Sequence, residues 1–407
     1  MSDVGGPDGP AGRKLRVSYL LPQFPVPTQT FAQSDIAALE EAGHKVVVHT
    51  VKPGREDNSA RKVERPSLRG ALRWPGLCWR MRSAGAQVAA TVLANAARAP
   101  LIAASALASL PRAMEIADAI ERGRSDVVHL FWARHAALVL ALLKARGSPA
   151  LRSAFVGAYD LVADDFLVEL TFASAEVVFS HAEVNRPFLE RKAHENCATH
   201  IVHRGIPLPG PAPESERDPD LWITVSALVA AKNVKGVLHA FARARDLRPA
   251  LKLQVFGDGP NRAALENLAG QLGCSDAVHF AGHVDRQEIF AAMSRAGVFL
   301  LFSKKASERL PNVVKEALWA GCMVMASDTP GIAELLPQRG IGIIVDPDDE
   351  AAVASAVQEV LQMDNAGLME RRERIRAHIS EHFSADASMK RYAEIWRALL
   401  ADRLARR

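Results

Sequence analysis

Thirteen residues near the middle of the chain, Pro207-Leu-Pro-Gly-Pro-Ala-Pro-Glu-Ser-Glu-Arg-Asp-Pro219, contain five prolines. Proline fixes φ and carries no amide hydrogen, so neither a helix nor a central strand is expected to run through this stretch. It divides the sequence into halves with the same rhythm. Before it, short apolar runs at 15–21, 46–51, 126–131, 154–159, 176–180 and 200–203 read as buried strands. After it come runs at 222–227, 252–256, 278–281, 298–302, 323–327 and 341–345, separated by amphipathic stretches such as 234–245 and 261–272. This alternation predicts an α/β chain of two Rossmann-like parallel-sheet domains facing a central cleft, with ligands outside the carboxyl ends of the strands. The expected domains are 14–215 and 216–384. A disordered Gly/Pro-rich tail is expected over 1–13, and a helix over 385–407 is expected to cross back to the N-terminal domain.

Composition narrows the class. The 407 residues are 49% hydrophobic and 24% charged, which suits a globular chain with room for two domains. A net charge of +4 is too small an excess to mark a nucleic-acid binder. Cys78, Cys197, Cys274 and Cys322 lie far apart without a CxxC pair, which argues against a zinc site or a disulfide framework. A cytoplasmic setting is therefore expected. No secretory signal is read at the start. The apolar stretch 87–110 is rich in alanine and interrupted by Asn95, Arg98 and Pro100, so it predicts a pair of helices rather than a bilayer span.

The segment with most chemistry is 303–321, S-K-K-A-S-E-R-L-P-N-V-V-K-E-A-L-W-A-G. Pro311 suits a first helical turn and Gly321 a helix end, so a helix is expected from near Pro311 to Ala320. Glu316 then lies inside that helix and Glu308 in the loop before it. The amides of Leu310, Asn312 and Val313 form the positive end of the helix, an anion site suited to a diphosphate. Carboxylates beside phosphates repel them unless they accept hydrogen bonds from sugar hydroxyls. Two solvated surface glutamates are the plainer alternative.

Residues 308–327, E-R-L-P-N-V-V-K-E-A-L-W-A-G-C-M-V-M-A-S, resemble the Glu-(x)7-Glu motif of retaining family 4 glycosyltransferases with the GT-B fold. Val255-Phe-Gly257-Asp-Gly259-Pro260 is similar to the family's V-x-G-x-G-P turn, Phe280-Ala-Gly-His-Val284 to its F-x-G-x-V turn, and Lys232 stands where it keeps a lysine. Phe24-Pro-Val-Pro-Thr28-Gln-Thr30-Phe31 resembles the F-P-x-x-S-E-T-F segment of colanic-acid and amylovoran-type enzymes. The likeness covers nearly all of 15–400, most strongly in the second half. It implies a retaining, metal-independent glycosyltransferase of bacterial surface or exopolysaccharide synthesis that needs no cofactor. It takes a UDP- or GDP-sugar donor and a glycan or polyprenyl-diphosphate-linked glycan acceptor. It further implies Val284 near the base, Glu316 on the ribose, Lys232 and the Leu310, Asn312 and Val313 amides on the diphosphate, Gly257, Gly259, Arg309 and Pro311 among the donor-binding residues, and Glu308 on the sugar. Glu308 and His129 would be the catalytic residues, and Phe24, Thr28, Thr30 and Asp160 would line the acceptor side.

Two departures stand out. The family's G-R-L turn reads Ser226-Ala227-Leu228, without its phosphate-binding arginine, and its H-G-x-D element reads Val156-Gly157-Ala158-Tyr159-Asp160, without its histidine. Arg309, Lys304 or Lys305 is expected to restore the charge. An inactive GT-B partner of an assembly complex and, further off, a nucleotide-sugar 2-epimerase are the rival readings. His129 fits a ligand-facing residue and a core histidine equally. The run 69–82, which mixes Trp74 and Trp79 with arginines, fits a helix on an anionic membrane surface as well as one packed on its own domain.

Overall fold

The structure, a computed structural model, describes residues 13–24, 30–53, 63–64, 74–163, 165–210, 217–304, 308–337, 341–363 and 365–406. The tail 1–12, Thr28, Lys305 and the arginines of 65–73 lie outside these. The chain divides into two compact units. The first comprises Met1–His181, Asn185–Arg204 and Ala385–Arg407; the second comprises Ala182–Val184 and Gly205–Ser384.

The elements run β1 (Arg16–Phe24), α1 (Thr30–Glu41), β2 (Lys45–Pro53), β3 (Val63–Glu64), α2 (Trp74–Ala94), α3 (Pro100–Gly123), β4 (Val127–Phe131), α4 (Ala137–Ala145), β5 (Leu151–Phe155), α5 (Ala158–Ala163), α6 (Phe166–Ser174), β6 (Val177–Ser180), α7 (Arg186–Lys192) and β7 (Ala198–Ile201). They continue with β8 (Asp218–Val225), α8 (Val234–Leu247), β9 (Lys252–Phe256), α9 (Arg262–Gln271), β10 (Val278–Gly282), α10 (Arg286–Arg295), β11 (Ala296–Leu301), α11 (Asn312–Ala320), β12 (Met323–Ser327), α12 (Ile332–Leu335), β13 (Gly342–Val345), α13 (Glu350–Leu361), α14 (Asn365–Phe383) and α15 (Ala385–Ala405).

Unit one holds a parallel sheet in the order β3-β2-β1-β4-β5-β6-β7. Its strands are apolar on both faces because both are covered. Val128 and Leu130 of β4 join α2, α3, α4 and α6 in one core, while Val127 and Phe131 meet α1 and α15 in the other. β5 starts at Leu151, upstream of the expected 154. The polar residues that disguised this start are both partnered: Arg152 donates to the carbonyl of Ser174 at 2.9 Å, and the Ser153 hydroxyl accepts from Trp396 Nε1 at 2.9 Å. β3, a two-residue edge strand, is too short to leave a pattern in the sequence.

Unit two holds a parallel sheet in the order β10-β9-β8-β11-β12-β13. β8 runs through Pro219, against the expected break. The register of its partner β11 slips between Ala296 and Val298 there, so no ladder bond is demanded of the proline. The change of unit comes at Gly205, ahead of the expected 215/216 boundary. Ile206 donates to the Phe383 carbonyl at 2.8 Å, and Trp319 Nε1 donates to the Pro209 carbonyl at 2.7 Å, which fixes this stretch to the second unit. In each sheet the strand order reverses beside the first strand, between β1 and β4 and between β8 and β11. Such a reversal opens a ligand crevice at the carboxyl ends. No described helix is long and apolar enough to cross a membrane.

Candidate active site

The loops at the carboxyl ends of β8, β9 and β10 are locked together by backbone. Leu228 N donates to the Asp258 carbonyl at 3.0 Å, Asn261 N to the Leu228 carbonyl at 3.1 Å, and Gly257 N to the Gly282 carbonyl at 2.8 Å. The glycines permit this approach. Gly257 sits at φ 116°, and a Cβ there would lie 2.0 Å from the Ser226 carbonyl oxygen; a Cβ on Gly259 would lie 2.6 Å from that of Leu228. The sequence assigned both to donor binding, and their demonstrable work is to let two loops touch. Arg262 ties in the third loop, donating to the Phe280 carbonyl at 3.0 Å.

The β8 loop then forms a short 3-10 turn over Ala230–Lys232 before α8, whose first turn Asn233 caps by accepting from Gly236 N at 3.2 Å. The β11 loop crosses it: Lys304 N donates to the Ala231 carbonyl at 2.8 Å and Ser303 Oγ to the same oxygen at 3.3 Å. This crossing brings Lys232 Nζ onto Glu308 Oε1 at the strand-order reversal. The side chains are 21% and 12% exposed. Glu308 Oε2 is buried and accepts no hydrogen bond from the described residues. A buried carboxylate oxygen without a donor is costly, so this one suits a hydroxyl brought by a ligand.

Helix α11 begins with Pro311 at its N-cap and ends with Gly321 in the left-handed conformation at φ 88°, as the sequence predicts. No side chain caps its start, so the Asn312 and Val313 amides carry the positive end of the dipole. Leu310 is buried. The Asn312 side chain is engaged from within, accepting from the buried Lys315 Nζ at 3.1 Å. Arg309 is half-buried, and desolvation lowers its pKa. Lys304, a candidate for the missing charge, is held instead by both oxygens of Asp348 at 2.5 and 2.6 Å.

Glu316 meets Arg286, a residue the sequence reading passed over. The guanidinium Nη2 and Nε lie 2.7 and 3.1 Å from Glu316 Oε1. Arg286 opens α10 two residues after the half-buried Val284, and that position was the available signal. The pair lines a cavity of about 730 Å3 with Pro207, Leu208, Phe290 and the buried Ser294.

Unit one answers differently. His129 is enclosed by the rings of Tyr19, Phe179, Tyr392 and Trp396, with Nδ1 2.9 Å from Ser153 Oγ. Burial, reinforced by the Arg204 charge, lowers its pKa to about 3. It is a neutral core residue, which corrects the catalytic assignment. Phe24 is likewise buried in that core rather than lining an acceptor site. Thr30 opens α1. Asp160 is buried after β5, accepting from Gly157 N at 2.8 Å and Ala133 N at 3.2 Å, and burial raises its pKa to about 6. It pins the β4 loop just after Trp132, which holds a strained φ of 69°. The next residues include half-buried His135, whose Nε2 has no partner among the described residues. Among these residues no cluster of His, Cys, Asp or Glu is placed to hold a metal ion.

Comparison with known proteins fits this geometry. Residues 211–381 match the family described as glycosyl transferases group 1. A putative colanic acid biosynthesis glycosyltransferase, WcaL of Salmonella typhimurium, is 22% identical over 94% of this chain and 99% of its own length. An exopolysaccharide phosphotransferase of Streptomyces coelicolor is 34% identical over 43% of this chain, a stretch that spans only 18% of that protein. Among solved structures, Anabaena HepE in complex with UDP superposes with a TM-score of 0.67 at 16% identity, over 94% of this chain and 100% of that one. A trehalose-6-phosphate synthase, OtsA, superposes at 0.60 over 95% and 99%. The chain therefore has the GT-B fold, and the stretch 211–381 within its second half is similar to the group 1 glycosyl transferases.

Proposed function

We propose that the protein is a retaining glycosyltransferase that moves a sugar from a UDP- or GDP-sugar to a glycan or polyprenyl-diphosphate-linked glycan. The observation that carries this is the Lys232–Glu308 pair at the β8/β11 reversal, with Glu308 Oε2 buried and lacking a donor among the described residues. The diphosphate would take Lys232 and the first amides of α11, Glu308 would turn to a sugar hydroxyl, and Glu316 would accept from the ribose. The acceptor oxygen would bond to the anomeric carbon on the face that the phosphate leaves. The acceptor proton would pass to the departing phosphate oxygen, so no protein base is demanded. Cations and helix amides would neutralise the leaving group without a metal or other cofactor. Arg309, next to Glu308, is the remaining described candidate for the charge absent at Ala227.

The loop pinned by Asp160 would serve the acceptor in unit one. A cytoplasmic site of action fits a nucleotide-sugar donor. The likeness to colanic acid and exopolysaccharide proteins favours polysaccharide synthesis as the setting. One observation favours a second reading, a partner protein that binds nucleotide without turnover: Ala227 leaves the β8 loop short of a cation, and Lys304 is occupied by Asp348. Incubation with UDP- and GDP-sugars, with and without polyprenyl-diphosphate-linked glycan, separates them. Nucleotide released only with acceptor supports transfer; binding without release supports the partner; no binding defeats both.

A further inference from the structure

We propose that the outward face of the α2–α3 hairpin is a docking surface for an anionic lipid bilayer. Both helices are fixed from beneath. Leu77, Met81, Ala84, Val88 and Val92 of α2, and Ala103, Ala106 and Leu110 of α3, are buried in the core that α4 shares. The opposite stripe of α2 carries Trp79, Arg82, Ala86, Ala90 and Leu93, spaced by three or four residues and all exposed. On α3 the exposed stripe is Leu101, Ala104 and Ala108. Trp79 is 70% exposed, Leu93 57% and Leu101 85%. Such large apolar side chains raised on one face of two adjacent helices need an apolar phase to repay their hydration.

Charge selects the occupant. Residues 74–114, which span α2 and most of α3, hold four arginines and no aspartate, glutamate or lysine. Arg82 lies over the Trp79 ring with Cζ 3.7 Å from its centroid, which places a cation and an indole on the same patch. Arg80 and Arg98 reach carboxylates on neighbouring elements, Asp118 at 3.0 Å and Glu169 at 3.4 Å, yet both arginine side chains remain more than half exposed. Indole and guanidinium side by side suit the headgroup layer, where the ring sits at the interface and the cation meets lipid phosphate. The apolar residues are single and spaced by alanines, so they form a shallow surface for insertion between acyl chains rather than a pocket for a protein side chain. The inference stands apart from the donor chemistry and would survive its failure.

Sedimentation of the full chain with vesicles of phosphatidylglycerol and phosphatidylethanolamine, without nucleotide, is the test. Binding is expected, falling with added salt and with replacement by phosphatidylcholine. The triple variant W79E/L93E/L101E should partition at least roughly tenfold less, while retaining its circular dichroism and nucleotide binding. Should that variant not fold, brominated lipid read against wild type and Trp79→Phe gives the answer: quenching that disappears in Trp79→Phe supports insertion of this face. Absence of binding to acidic vesicles, or quenching and partitioning that ignore these residues, overturns the proposal.

Discussion

The two units place their strand-order reversals on the same topological footing and fill them with opposite chemistry. Beside β8 and β11 the side chains are charged and reach the surface in pairs, Lys232 with Glu308 and Arg286 with Glu316. Beside β1 and β4 lie Tyr19, His129 and Phe131, covered by Tyr392 and Trp396 of α15. The second unit keeps polar groups that a ligand can recruit. The first converts its histidine into packing, seals one ion pair, Arg204 with Asp35 at 2.8 Å, against Tyr19 and Phe131, and places Asp160 just beyond β5. A parallel sheet thus offers a crevice at every reversal, and what caps the strands decides whether it is a site or a core.

The sharpest way to break this contrast is acid. His129 titrates near 3 in the folded state against an ordinary 6.5, so the native chain binds fewer protons than the unfolded one. Its contribution is complete above about pH 6.5 and is lost as pH falls towards 3, roughly 4 to 5 kcal/mol over the window. His129→Phe should flatten this part of the stability profile in urea titrations at a series of pH values. If the variant keeps the wild-type acid response, the histidine is hydrated and the core reading fails.

Glu308→Gln should then lower turnover on the order of 10²–10³-fold, because an amide replaces a carboxylate aimed at developing charge and frees Lys232 from its partner. Single-turnover measurement with a nucleotide sugar and acceptor checks it. Unchanged turnover would reduce the charged pair to a surface ion pair and erase the difference between the units.

The carboxyl Asp160 works in the opposite direction to His129. Its folded pKa of about 6 exceeds the ordinary 3.8, so the native state holds the proton more tightly. The stability it contributes is full below about pH 3.8 and is lost as pH rises through 6, at most roughly 3 kcal/mol. Asp160→Asn should remove that rising-pH loss while leaving the acid loss assigned to His129. A double variant that behaves as the sum of the two separates loop from core.

How much of this was legible beforehand follows from what each residue answers to. The strands, the helix from Pro311 to Gly321 and the two-sheet architecture are dictated by local periodicity and backbone chemistry, which a sequence carries directly. Glu308, Glu316 and Lys232 could be named because one short segment and one turn hold them. Their partners could not. Arg286 lies thirty residues from Glu316, and Asp348 forty-four from Lys304, so only the fold brings them together. His129 and Phe24 were misread because a strand end looks alike whether it opens to solvent or is covered by a helix more than 250 positions downstream, as α15 covers it. Gly257 was read as donor-binding because its real constraint, the Ser226 carbonyl 2.0 Å from a Cβ, is invisible without the neighbouring loop.

The smallest effect tests the second ion pair. Arg286 is 48% exposed, so its bond to Glu316 adds little to stability, and Arg286→Ala should alter the folding free energy by no more than about 1 kcal/mol. Glu316→Ala should be felt in binding instead. One charged hydrogen bond to a ribose hydroxyl is worth about 1.5–3 kcal/mol, which weakens UDP or GDP by roughly 10- to 150-fold. On the proposed reading Arg286 would compete with ribose for the same Oε1, so its removal should leave nucleotide affinity unchanged or improve it a few-fold, opposite in sign to the loss at Glu316. Calorimetry on the two variants reads both numbers. Equal losses would mean that Arg286 itself holds the nucleotide and that the pair works as one binding group. Unchanged affinity in Glu316→Ala would remove the ribose from α11 and leave Glu308 as the remaining carboxylate proposed for the donor.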